Sequence, residues 1–90
     1  MSDTDDLLKT RGNTYGNFTD GITTEALILQ AINNNHRKHH GQELDAISAL
    51  FLSKITMKLA RISVTPDHVD SWRDIAGYAR LVELHYTQGN

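Results

Sequence analysis

Apolar residues in this chain recur at steps of three and four, and nowhere do they alternate for long enough to mark a strand. The clearest stretch runs from about residue 42 to 62, where Leu44, Ile47, Phe51, Ile55, Leu59 and Ile62 form one stripe. A second, residues 67–86, carries Trp72, Ile75, Ala79, Val82 and Tyr86, after a Thr65-Pro66-Asp67 sequence suited to a first helical turn. A third, residues 20–36, is capped by Thr19 or Asp20 and shows Ile22, Ala26, Leu29 and Ile32 at helical spacing. Its tail, "NNNHRKHHG", reads as a polar connection. The N-terminal segment, residues 1–19, offers a short helix over residues 3–10 with Asp5 and Asp6 at its positive end. The turn "GNTYGNF" follows, since Gly and Asn tolerate positive φ. One proline, no repeat and no low-complexity linker make residues 1–90 a single helical domain. Short connections set the segments 42–62 and 67–86 side by side and antiparallel. The fold class is therefore all-α, a small helical bundle built on a long antiparallel helix hairpin.

Composition adds an expectation about assembly. Ninety residues, 39% of them apolar, support only a thin core, and a helical chain of that size gains much from burying a face against a second copy. A homo-oligomer is predicted. The chain has no cysteine, so it has no disulfide, thiolate metal site or Cys nucleophile, and this fits a reducing cytoplasm. "MSDTDDLLKT" lacks the basic and apolar regions of an export signal, and no apolar run approaches the roughly 20 residues of a membrane span. With a net charge of -2, general binding to DNA or RNA backbone is not expected. The charges are unevenly spread, however. Arg37, Lys38, Lys54, Lys58 and Arg61 face only Glu43 and Asp45 in the same stretch, which leaves room for a local anion site.

Two charged rows follow from the helical spacing. Lys54, Lys58 and Arg61 line one edge of the segment 42–62, and Asp70, Asp74 and Tyr78 form a row at steps of four in the segment 67–86. In an antiparallel hairpin these rows meet. They form either an interhelical ion-pair cluster that sets register or a cleft that binds a phosphate or metal-phosphate group. Gly77, disfavoured by about 1 kcal/mol against Ala in a helix interior, is read as a point of close backbone approach. Trp72 is read as core, and Arg73 and Arg80 as solvated or intersubunit residues. Tyr15, in its glycine-flanked turn, is a candidate for stacking on a ligand base. His36, His39 and His40 have the spacing to share a metal but no third ligand, and Arg37 and Lys38 repel a cation there. There is no glycine-rich phosphate loop and no Ser-His-Asp arrangement.

"RGNTYGNF", "KITMKLARI" and "HVDSWRDIAGYARLVE" together resemble an uncharacterised family of short phage and prophage helical proteins, with a Tyr-Gly turn, a Lys-x-Ala-Arg helix and an Asp-Ile-Ala-Gly-Tyr-Ala helix. The resemblance covers residues 11–83. More distantly the arrangement is similar to MazG-like, all-α nucleoside triphosphate pyrophosphohydrolases, oligomeric bundles that bind nucleotides through magnesium and carboxylates. It implies nucleotides as the ligand class and makes Mg2+ a possible cofactor without firmly predicting one, and the resemblance to phage proteins implies the cytoplasm of an infected bacterial host as the location. Such enzymes carry Glu-Glu-x-x-Glu on one helix and Glu-x-x-Asp on the next, because several carboxylates must hold Mg2+ and orient water. Here Asp74 matches the final Asp, but Ser71 stands three residues before it, and Glu25 has no paired acid.

The expectation is a phage-type helical oligomer that binds a nucleotide or nucleotide-derived signal without turning it over, as a phage would to sequester a host defence messenger. Lys54, Lys58 and Arg61 are the phosphate candidates, Tyr15 and Tyr78 the base candidates, and Asp74 the residue that orients a basic residue or a ribose hydroxyl. The first alternative is a metal-dependent nucleotide pyrophosphohydrolase with Asp70 and Asp74 on the metal. The second is a structural or partner-binding bundle in which the charged rows are ordinary ion pairs.

Overall fold

A computed structural model describes residues 18–88 of the chain, so the expected helix over residues 3–10 and the Tyr15 turn lie outside the described residues. Three helices follow in order: α1 (Phe18–His40), α2 (Ala46–Val64) and α3 (Val69–Gln88). The described residues are a small all-helical bundle with no strand. The middle helix packs against both of the others, and α1 and α3 do not pack on each other.

The polar tail expected after residue 36 is instead the last turn of α1. Neither Gly nor Pro interrupts "NNNHRKHH", and its basic residues sit at the end of the helix where the macrodipole favours them. Gly41 ends the helix with φ 71°, and its N–H donates to the Arg37 carbonyl at 2.8 Å. The start of α2 also differs from the expected residue 42. Asp45 adopts the extended N-cap conformation, and its carboxylate accepts from the Ser48 N–H at 3.0 Å. This cap excludes Leu44 from the helix. At the far end the Thr65 N–H donates to the Arg61 carbonyl at 3.0 Å. Pro66 lies in the connection rather than in the first turn of α3, and its carbonyl accepts from the Trp72 indole N–H at 2.8 Å.

The faces the helices bury are displaced from the apolar stripes. On α1 the inward residues are Thr24, Ile28, Leu29 and Ile32, while Ile22 and Ala26 are exposed. On α3 the inward line runs Ser71, Ile75, Tyr78 and Val82, which turns Trp72, Ala79 and Tyr86 outward. Trp72 is therefore half-exposed and not core. The cause is the small size of the residues at the closest contacts. Thr56, Ser71 and Ala60 are the least exposed of the described residues, at 1%, 1% and 4%. Their side chains let neighbouring backbones approach, and the hydroxyls bond locally. The Thr56 hydroxyl donates to the Ser53 carbonyl at 3.0 Å, and Ser71 Oγ lies 2.8 Å from His68 Nδ1. Among the described apolar residues only Ala60 and Ile62 are buried, so the three helices form one layer with two open sides.

The two helix-related glycines play opposite parts. Gly41 needs its positive φ. Gly77 does not: a Cβ there would meet nothing within 4 Å, so close approach within the described chain is not its reason. Gly41→Ala is expected to destabilise the protein by about 1 kcal/mol, the cost of a left-handed Ala, and Gly77→Ala to stabilise it by about 1 kcal/mol through helix propensity alone. Urea denaturation followed by circular dichroism would show midpoints displaced in opposite directions.

Candidate functional site

The antiparallel hairpin of α2 and α3 brings the two charged rows together as their spacing predicts. Lys58 Nζ lies 2.9 Å from Asp74 Oδ2. One turn toward the start of α2, Lys54 Nζ stands 6.0 Å above the centre of the Tyr78 ring. Each step of four back along α2 thus meets a step of four forward along α3. The far end of the seam is aromatic: Phe51 packs edge-on to His85 with centroids 5.3 Å apart and to Tyr86 at 6.5 Å, and Ser48 and Tyr86 share a hydrogen bond.

The partners in the central pair differ sharply in environment. The Lys58 side chain is 9% exposed, whereas Asp74 is 49% exposed. An ammonium in that position needs a partner, because burying an unpaired charge costs far more than burying a paired one. The hydrogen bond from Lys58 holds the Asp74 carboxyl below its usual value of 3.8, with burial opposing and the charges of Lys58, Arg61 and His68 assisting. Asp70 departs from the expected row. It is exposed and pairs with Arg73 on its own helix at 3.6 Å.

These positions do not suit a magnesium ion. Asp70 and Asp74 are each engaged by a cation, and among the described residues no group of three or more His, Cys, Asp or Glu is placed to hold a metal. The Ser71 position, where a carboxylate would complete a Glu-x-x-Asp pair, is 1% exposed and its hydroxyl contacts His68. His36 and His40 lie with ring centroids 4.5 Å apart in the last turns of α1.

On the outer flank of α3 the seam opens into a shallow concavity of about 440 Å³, lined by Arg73, Asp74, Gly77, Tyr78, Arg80 and Leu81. Gly77 makes its floor, since the space a Cβ would enter is empty. Arg73 and Arg80 are the cations at its rim, both largely exposed, and Arg80 also pairs with Glu83. Asp74 and Tyr78 were expected here from sequence, while Arg73, Arg80 and Leu81 were not. The signal for them was present: a helix-interior glycine with arginines four residues before and three after it borders a gap of known charge. Tyr15 lies outside the described residues.

The acid side of the stability profile tests the seam. Asp74 has a folded pKa below its unfolded value, so its contribution is present above about pH 3.8 and is lost as the pH falls through the lower folded value. Lys58→Met is expected to flatten the stability profile below pH 4, and adding Asp74→Asn to it is expected to change the profile little further. Thermal unfolding of the four proteins of that cycle between pH 2 and 7 measures the coupling.

Among proteins of known sequence, the model of the domain family DUF6378, described as a domain of unknown function, matches residues 2–85. No curated protein and no solved structure matches the chain.

Proposed function

Since the chain belongs to the DUF6378 family, whose function is unknown, we propose from its site that it binds a nucleotide or nucleotide-derived signal and does not turn it over, as part of a homo-oligomer. The observation that carries this reading is the concavity over Gly77. The concavity is shallow and open, and its lining along one face of α3 combines two arginines, an aromatic ring and an aliphatic side chain. Arginine presents a planar fork that matches phosphate oxygens. Tyr78 and Leu81 offer a face to a base, and the bare backbone at Gly77 allows a flat ring to lie close to the helix. Asp74 lines the same concavity while it holds Lys58 at 2.9 Å, and its carboxylate suits a ribose hydroxyl. Lys54 and Arg61 add positive potential from α2.

The Lys58–Asp74 pair supports binding over hydrolysis. A carboxylate already neutralised by an ammonium at 2.9 Å is a poor ligand for Mg2+. The resemblance to phage proteins sets such binding in the cytoplasm of an infected bacterium, where it would sequester a host defence messenger. Among the described residues no helix is long and apolar enough to cross a membrane.

Thermal shift of the full chain against mononucleotides and cyclic nucleotides, with and without Mg2+, tests the reading. A ligand at 100 times its dissociation constant stabilises the native state by about 2.7 kcal/mol, a shift of several degrees for a domain of this size. The stabilisation is expected without Mg2+ and is expected to be lost in Arg73→Ala/Arg80→Ala. No shift with any nucleotide overturns nucleotide binding. Mg2+-dependent release of pyrophosphate, abolished by Asp74→Asn, would establish the hydrolase instead.

A further inference from the structure

The last turns of α1 carry chemistry that the seam and the concavity do not use. Ile28, Ile32 and His36, at steps of four, are all half-buried, so His36 continues the inward line of the helix. His40, one turn further on, is exposed. Its ring lies beside that of His36, with centroids 4.5 Å apart and planes tilted by 32°.

We propose that His36 and His40 chelate a late first-row divalent cation, Cu2+, Ni2+ or Zn2+, at the C-terminal end of α1. The site is independent of nucleotide binding.

A step of four on a helix sets two side chains one turn apart on one face, and paired histidines at that step ligate a single ion in helical zinc motifs. Two nitrogens bound to one ion at about 2.0–2.1 Å stand roughly 3 Å apart. Rings with centres 4.5 Å apart and planes already inclined reach that separation by small side-chain rotations. His36 is held by its half-buried position, which leaves the exposed His40 to adjust. Less ordering entropy therefore opposes binding.

Spacing alone sets Arg37 and Lys38 against a cation here, but their placement weakens that opposition. Counting from His36 at about 100° per residue, His40 falls at about 40° and Lys38 at about 200°, on the far side of a helix about 10–12 Å across. Arg37 falls at about 100°, but its guanidinium is drawn to Glu43, with Nη2 2.7 Å from Oε1, and the carboxylate offsets its charge. The negative end of the α1 macrodipole lies at the same place and favours a cation.

The ligand type sets the class of ion. Neutral imidazole nitrogens suit Cu, Ni and Zn, whereas Mg2+ and Ca2+ take oxygen ligands. Among the described residues no third His, Cys, Asp or Glu completes the pair. The site is thus a two-armed chelate with water in the remaining positions, unlike the closed four-ligand sites that hold zinc structurally. A bound ion holds the last turn of α1 closed just ahead of Gly41.

Calorimetric titration of the full chain, carrying no added histidine tag, with Cu2+, Ni2+, Zn2+ and Mg2+ tests the site. The proteins compared are the wild type, His40→Ala, His36→Gln and His39→Ala, and electron paramagnetic resonance of the Cu2+ forms counts the bound nitrogens. The wild type is expected to bind one ion per chain through two nitrogens, Cu2+ most tightly and Mg2+ not at all. His40→Ala and His36→Gln are each expected to weaken binding by roughly 100-fold, as the loss of one of two linked contacts does. Helical circular dichroism is expected to stay unchanged in His40→Ala, because that residue is exposed. His39→Ala is expected to bind as the wild type does. Equal binding by the wild type and His40→Ala, a single nitrogen on Cu2+, or loss of binding in His39→Ala alone overturns the chelate, as does a wild type that binds none of these ions. None of these outcomes bears on nucleotide binding, which thermal shift of the metal-free chain decides.

Discussion

The architecture depends on one constraint: α2 supplies both contact faces of the bundle, while α1 and α3 do not meet. A helix that must serve two neighbours cannot present a single stripe. Its small residues Thr56 and Ala60 and its large residue Ile62 are all buried, yet Leu59, between them in sequence, stays at the surface. The same constraint keeps the molecule one helix thick. Every described helix therefore has a flank with no neighbouring helix among the described residues.

The hairpin divides these roles between its two sides. On one, the ammonium of Lys58 is enclosed and needs the carboxylate of Asp74, which fixes how far α3 slides along α2. That pair makes the register electrostatic and leaves the Gly77 concavity beside it, rimmed by arginines on the outer turn of α3. On the other side the hairpin shows Trp72 and its apolar neighbours.

Much of this was legible in the sequence, and the failures have physical causes. The hairpin and its Lys58–Asp74 seam followed from rows at steps of four, because charge periodicity survives whatever the helices bury. The stripes Ile22, Ala26 and Trp72, Ala79, Tyr86 misled because apolar spacing marks all the surface a helix can bury, including surface that no described helix covers. In the contact itself small polar residues such as Ser71 and Thr56 won, since close approach rewards size over hydropathy. The tail of α1 was misread because Asn and His are weak helix formers, yet nothing stops a helix there before Gly41. Around the concavity, Asp74 and Tyr78 stand in the row that the sequence marks, whereas Arg73 and Arg80 show their place only once Gly77 is known to border empty space.

Because α1 and α3 touch α2 and not each other, the helix packing among the described residues joins helices that are adjacent in the chain. Such contacts close small loops, so little entropy is spent before each is rewarded, and folding of this kind falls at the fast end of the range for small domains. It also makes the molecule two hinged pages on one spine. Among the described residues no packing ties one page directly to the other, and the α2–α3 hairpin carries its seam and concavity without a contribution from α1.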